Sequence, residues 1–415
     1  MRLNSEILET ISGDFGDSFY LLDSKAFERN YWDLLNSFRE YYNDTNIAYS
    51  YKTNYIPRFC KLVNSYGGFA EVVSDMEYQV AIKSGVSPRK IFFNGPYKSK
   101  AITLRLLLDG GIVNIDCLEE LQLVLDLAKN HRHEIFNIGL RCNFDLDDGE
   151  ISRFGFDVTS NQFSAIVQEI SQHHNVKLIS LHCHFANRIL YTWQKRTEEM
   201  INLYDKLQKE SNHPLAFISL GGAIYGKMQP EMKAQFSHSI PTFADYARVA
   251  AKPFNSYFVQ SEYNKPTLII EPGTALVANS MKFVARVVSI KSVRGKYIAT
   301  VGGSSYNISP NPNRKNVPIT VYRPTSIATA SQDYIDLDVA GYTCIETDYL
   351  YRGFSGQLAV GDFLVWDQIG AYSVVMKPPF ILPNFPIVEY HDDDNSTKCI
   401  KRAETFEDIF QTYEF

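Results

Sequence analysis

Eight short apolar runs alternate with segments of helical period between residues 25 and 275, and few folds accept that pattern. The runs are NIAYSYK, FAEVVS, KIFFNG, GIVNID, FNIGLRCN, VKLISLHCHF, LAFISLGG and TLIIEPG, and segments such as RNYWDLLNSFREYY and LEELQLVLDLAKNH lie between them. A run of Ile, Val, Leu, Phe and Tyr that ends in turn residues reads as a strand buried on both faces. A 3.6-residue apolar period reads as a helix laid against it. Eight strand–helix units in roughly 250 residues is the arithmetic of a (β/α)8 TIM-like barrel. A doubly wound α/β sheet alternates in the same way, but eight evenly spaced units favour closure.

After Glu271-Pro272-Gly273 the pattern changes. From MKFVARVVSIKSVRGKYIATVGG onward, β-branched residues alternate with polar ones and the turns carry Gly, Pro and Asn. Residues 276–415 are therefore expected to form a C-terminal antiparallel β domain of sandwich or barrel type, joined by an N-terminal strand within residues 1–24 that contains DSFYLLD. The 25–275 barrel and this domain fit a chain of 415 residues, on a prior of about 150 residues per domain. Hydrophobic residues make up 45% and charged residues 21% of the chain, which excludes a disordered or collagen-like protein. A net charge of −6 gives no electrostatic reason to expect a nucleic-acid partner. No apolar run approaches the roughly 18–20 residues that cross a bilayer, so no membrane partner is expected. The start MRLNSEILETISGDFGDSFYLLD has no basic region followed by a long apolar stretch, as a signal peptide would. The cysteines stand singly without CxxC spacing and read as reduced thiols, which places the expected location in the cytoplasm.

In a barrel the strand ends and the loops after them form the active face. The first run closes on Lys52. A lysine desolvated there would have a lowered pKa suited to Schiff-base chemistry, and the competing reading is a side chain that snorkels out of the strand end. His182 and His184 are two apart on one strand and share a face. They read as a metal pair, as a ring stacked on a flat cofactor, or as core histidines; a metal would need a further ligand such as Glu71 or Glu271. Gly221-Gly222 would let backbone N–H groups approach a phosphate. Glu271 follows the apolar run LII, where a carboxylate is costly without a partner such as a protonated ring nitrogen.

In their order along the chain these motifs resemble the alanine-racemase-fold, pyridoxal-phosphate-dependent decarboxylases, the group of diaminopimelate and ornithine decarboxylases. The resemblance covers nearly the whole chain and includes Gly341-Tyr342-Thr343-Cys344 and Asp367-Gln368-Ile369-Gly370-Ala371-Tyr372. It implies an enzyme, a carboxy-lyase acting on an amino acid, with pyridoxal 5'-phosphate as cofactor and no metal. By that resemblance Lys52 would hold the cofactor covalently, His184 would stack on its ring, and Glu271 would keep the ring nitrogen protonated so that the ring serves as an electron sink. Gly221, Gly222 and Gly273 would offer N–H groups to the phosphate and Tyr372 its hydroxyl, with Glu71 and Arg141 nearby at the rim. Cys344 matches a cysteine that a partner subunit contributes for reprotonating the product, which implies a homodimer with shared active sites. The plain alternative for Cys344 is a small buried residue.

The sequence also departs from the family pattern. Thr274 stands where the family has arginine after Glu-Pro-Gly, and Ala186-Asn187 replace Gly-Ser, leaving the Asn187 amide as a phosphate donor. Ile345 follows Cys344 where diamino-acid decarboxylases carry an acid that grips the distal amine; Glu346 and Asp348 come next and are, with Arg314 and Arg323, the candidates for binding the substrate. Arg314, Lys315 and Arg323, with Arg188, make a basic set that suits carboxylates. Together these features favour a substrate whose distal amine is capped by a carboxylate-rich group, of the N-citryl-ornithine or citryl-diaminopropionate type, in siderophore biosynthesis. The alternative is a diaminopimelate, ornithine or lysine-type diamino-acid decarboxylase. An amino-acid racemase, a metal-dependent amidohydrolase using His182 and His184, and a cofactor-free regulatory homologue are the further readings.

Overall fold

A computed structural model describes residues 1–211, 213–309, 315–325 and 331–415 of the chain. It divides into two compact units. One comprises Asn30–Tyr225 and Pro241–Ala275; the other comprises Met1–Arg29, Gly226–Ile240 and Leu276–Phe415.

The first unit is a closed barrel of eight parallel strands: Thr45–Ser50, Phe69–Val72, Ile91–Phe93, Ile112–Ile115, Phe136–Asn143, Val176–His182, Phe217–Ser219 and Thr267–Ile270. Each pairs in parallel with its neighbours, and the eighth returns to the first with Leu268 opposite Thr45. All eight apolar runs of the sequence are these strands. Serine caps start the helices that follow the second, third and fifth strands: Ser74, Ser99 and Ser160 each accept a hydrogen bond from the N–H three residues on, which satisfies a donor the helix itself leaves unpaired. The Leu190–Ser211 and Phe243–Gln260 helices pack through aromatic edges, Trp193 against Tyr246 at 5.3 Å and Tyr204 against Phe258 at 5.0 Å between ring centroids.

The barrel interior is apolar at one end and polar at the other. Near the strand starts, the rings of Phe69, Phe92 and Phe217 meet with centroids 5.4–5.9 Å apart and plug the barrel. At the strand ends each strand contributes one buried polar side chain: Ser50, Glu71, Asn94, Asn114, Arg141, His182, Ser219 and Glu271. Burying so many polar groups is tolerable only where they satisfy one another, so this end is where chemistry is expected.

The second unit is built on a sheet with the order Tyr349–Leu358, Gln332–Ala340, Lys296–Val301, Met281–Val293, Ser18–Leu22, Ile387–His391 and Ser396–Lys401. Phe363–Trp366 pairs with Met281–Val293 and with Ile319–Tyr322. The N-terminal strand does join the C-terminal sheet, antiparallel to Met281–Val293 and parallel to Ile387–His391. With the parallel pairing of Lys296–Val301 and Gln332–Ala340, the sheet is mixed and not wholly antiparallel. Leu8, Ile11, Phe19, Leu21, Val284 and Phe363 form its core. Among the described residues no helix is long and apolar enough to cross a membrane.

Candidate active site

Lys52 lies in the short 3-10 turn Tyr51–Thr53 that caps the first strand. Its Nζ donates to Glu71 Oε2 at 2.7 Å, while its side chain stays 37% exposed and Glu71 is 1% exposed. The amine therefore sits on a buried carboxylate and remains reachable from the mouth. Glu71 also accepts from the Ser50 hydroxyl at 2.5 Å and from the Asn94 amide at 3.1 Å.

The same Asn94 amide reaches both oxygens of Glu271 at 3.3 Å, and the Asn114 amide holds Asn94 Oδ1 at 2.6 Å. Ser219 donates its hydroxyl to Glu271 at 2.7 Å, and His182 Nε2 lies 3.1 Å from the other oxygen. His182 thus gives its Nε2–H to the carboxylate, and its Nδ1 is buried without a partner. Burial alone would push the Glu271 carboxyl up; the His182 ring, Lys52 and the Ser219 hydroxyl overcome that and hold it well below the usual carboxylate range. Glu271 is thus a buried anion among the strand ends.

His184 is separate from this network. Its Nδ1 accepts the Gly222 N–H at 3.0 Å, which fixes the ring's orientation and leaves Nε2 to carry the proton. Burial and the nearby Lys52 hold its pKa well below the ordinary histidine value, so the ring is neutral and flat. The two histidines spend their nitrogens on different partners, and among the described residues no group of three metal-ligating side chains gathers.

Gly221 has φ +69 and a Cβ there would stand 2.4 Å from the Cys183 carbonyl; at Gly273 it would meet Thr53 Oγ1 at 1.9 Å. Both positions require glycine, because the loop after strand seven presses on the end of strand six and the loop after strand eight presses on the turn after strand one. Ala223, next along, holds φ +67 despite its Cβ, a local strain that the surrounding packing must impose.

Several expected site residues stand elsewhere or are already engaged. The Gly221 N–H donates to Ser219 Oγ at 3.2 Å and the Gly222 N–H to His184, so neither of these two donors faces a phosphate. The Asn187 amide donates to Asp148 at 3.1 Å and not outward. Arg141 is buried, 3.4 Å from Asp116 and 4.3 Å above the Phe154 ring. Asp348 is already engaged: it accepts from the Ser304 and Thr343 hydroxyls and the Ser305 N–H at 2.7–3.1 Å and organises its own turn. Arg323 is clamped by both oxygens of Asp362 at 3.1 and 3.2 Å. Lys315 donates to the Gln235 carbonyl and lies over the Phe236 ring. Arg314 lies outside the described residues. Cys344 and Glu346 are exposed on the second unit, where Tyr372 has φ +63. Asn94, Asn114, Ser50 and Ser219 were missed; each sits at the end of an apolar run, which was the available signal.

Glu77, on the helix Asp75–Lys83, is a second buried acid near Lys52 and Glu71. Burial and the Glu71 carboxylate push its carboxyl up to about 7, against the Val73 N–H bonded to it at 2.8 Å. A folded-state pKa above the unfolded value means that stability is fullest below the unfolded pKa and falls as pH rises through the folded one. Glu77→Gln keeps the acceptor and removes the titration. It is expected to flatten the fall of Tm between about pH 5 and about pH 7; an unchanged slope would show that Glu77 is ionised throughout.

A barrel whose mouth offers a reachable lysine on a buried acid, a neutral flat imidazole and a buried carboxylate suits a cofactor with an aldehyde, an aromatic ring and a basic ring nitrogen. Residues 29–278 match the family model described as the pyridoxal binding domain of pyridoxal-dependent decarboxylases. The chain belongs to that family: it is a pyridoxal-phosphate-dependent decarboxylase. It is 22% identical to the diaminopimelate decarboxylase of Aquifex aeolicus, over 97% of this chain and 93% of that protein. The crystal structure of the diaminopimelate decarboxylase of M. jannaschii in complex with L-lysine superposes with a TM-score of 0.85 at 22% identity, over 98% of this chain and 94% of that one. The lysine/ornithine decarboxylase of Vibrio vulnificus complexed with putrescine has the same fold at a TM-score of 0.73 and 17% identity, over 90% and 94% of the two chains.

Proposed function

We propose that the chain removes the α-carboxylate of a free diamino acid of the diaminopimelate type. The observation that carries this reading is the state of the residues meant to recognise a capped substrate. Arg323 is neutralised by Asp362 and Lys315 is turned to Gln235, whereas Glu346 is exposed and has no ion-pair partner among the described residues. The side chains available for a distal group thus include a free anion, which suits an ammonium and repels a carboxylate. Diaminopimelate decarboxylases among the relatives support the same choice over the citryl-amino acids.

In this reading Lys52 would hold the cofactor covalently, Glu271 would keep a proton on its ring nitrogen, and the neutral His184 would serve as the ring's stacking partner. Pyridoxal phosphate, when bound, supplies the sink for the electrons left as carbon dioxide departs. Glu71 holds the Lys52 amine in place and, through Asn94, shares a donor with Glu271. The exposed Cys344 thiol would be the proton donor to the product carbon in the site of a second copy, which makes the homodimer part of the proposal.

The test is carbon dioxide release from meso-diaminopimelate, lysine, ornithine and N-citryl-ornithine. Release from a free diamino acid is expected, with Glu346→Gln raising its KM by about tenfold, the scale of one charge-assisted hydrogen bond, and leaving kcat nearly unchanged. Release from N-citryl-ornithine alone would overturn the reading in favour of the capped substrate.

A further inference from the structure

The apolar plug at the strand starts is not sealed on every side. Ile112 is buried within it, but Ile179 and Phe217, packed against it, are only half-buried. Where these strands contribute apolar side chains, the fifth sets a half-buried Asn137 in register beside Ile112. Over these four side chains opens a cavity of about 520 Å³, a size within the roughly 300–1,000 Å³ of small-molecule sites. Its wall comes from the loops that lead into the third, fourth and fifth strands, through Arg89, Gly110 and Glu134. Gly110, at φ +80, lets Arg89 lie close, since a Cβ there would stand 3.3 Å from the Arg89 Nε. Leu108 and Ile135, 40% and 50% exposed, carry the apolar surface out to the lip.

The polar groups of this wall are not spent on one another. Among the described residues the Arg89 guanidinium has no ion pair or hydrogen bond, and neither the Glu134 carboxylate nor the Asn137 amide has one. Asp109, the other acid in the lining, is 3.7 Å from Arg105. A wholly apolar ligand would strip water from these groups and return nothing. An anion alone would face the Glu134 carboxylate, and a cation alone the Arg89 guanidinium. A molecule that carries one carboxylate, one ammonium and a carbon chain meets all of them, since a guanidinium fork binds a carboxylate through two parallel bonds.

We infer that this cavity binds an aliphatic amino acid. Arg89 and the Asn137 amide take its carboxylate, Glu134 its ammonium, and Ile112, Ile179 and Phe217 its carbon chain. The seat lies at the strand starts, whereas Lys52, His184 and Glu271 gather at the strand ends, so an occupant does not compete with substrate. The inference is independent of the pyridoxal-phosphate reading.

The test is calorimetric titration of the holoenzyme with L-leucine, with 4-methylpentanoate, which lacks the amine, and with 3-methylbutylamine, which lacks the carboxylate. Leucine should saturate the protein below about 10 mM, an affinity open to so small a ligand. Each truncated probe should bind about tenfold more weakly, the scale of one charge-assisted hydrogen bond. Arg89→Met should weaken leucine and 4-methylpentanoate about tenfold without changing the amine. Glu134→Gln should weaken leucine and the amine without changing 4-methylpentanoate. The cofactor absorbance should stay constant throughout, because leucine drawn into the strand-end site would shift it. No saturable binding of leucine up to about 10 mM, or binding unchanged in Arg89→Met, would overturn the seat. So would equal affinity for the three probes, the mark of a merely apolar hollow, and so would a cofactor band that moves in step with the binding heat.

Discussion

Lys52→Ala is expected to abolish the absorbance of the covalently held cofactor near about 420 nm and to lower kcat by roughly 10⁴-fold or more, the scale on which an enzyme loses its nucleophile. The geometry makes Lys52 hard to replace. Its Nζ donates at 2.7 Å to a carboxylate that is itself fixed by Ser50 and Asn94, so the amine is both reachable and held in place. Among the described residues no other lysine lies in that ring of strand ends; Lys98, a few residues beyond the third strand, is committed to Glu120 at 2.8 Å. Added methylamine should recover part of the rate in Lys52→Ala, because it returns an amine to the emptied volume. A variant that kept the band at full height and turned over substrate would show that another amine holds the cofactor.

The barrel was legible in the sequence because its strands are buried on both faces. Such strands read as continuous apolar runs, and helices of the opposite period separate them. The β domain was legible as β but not in its directions: Lys296–Val301 lies parallel to Gln332–Ala340, and strand periodicity is the same whichever way a neighbour runs. The site divided along a similar line. Lys52, His184 and Glu271 are visible because each ends a run and carries an unusual group for that place. The internal partners of Asp348 and Arg323, Ser304 with Ser305 and Asp362, were not legible because they lie about 40 residues away in sequence and only folding brings them together. Arg196 was invisible for a different reason. It sits within a polar helical stretch, where an arginine reads as solvated, and only the fold shows it buried, with its guanidinium on carbonyls of the loops after strands six and seven.

The Glu271 carboxylate has the most to lose from a change of a single atom. Every group around it is a donor or is held as one: the Ser219 hydroxyl, the Asn94 amide and His182 Nε2. These donors favour the charged form, and burial makes that charge felt at short range because little water screens it. A protonated ring nitrogen is stable there only while the anion persists. Glu271→Gln keeps the shape and an acceptor oxygen but removes the charge, and its amide nitrogen now faces either the Ser219 hydroxyl, which must turn to accept, or His182 Nε2, which must pass its proton to Nδ1. The ring nitrogen would then lose its proton and the site would lose its electron sink at the step where carbon dioxide leaves. The expected result is a fall in kcat of about 10²–10³-fold, comparable to removing a preorganised electrostatic partner. KM should change little, since binding does not depend on that proton. A fall in affinity for the cofactor with kcat preserved at saturation would instead mean that Glu271 only anchors the ring, and that the negative charge which counts in catalysis is Glu71, one strand-end away and sharing the Asn94 amide.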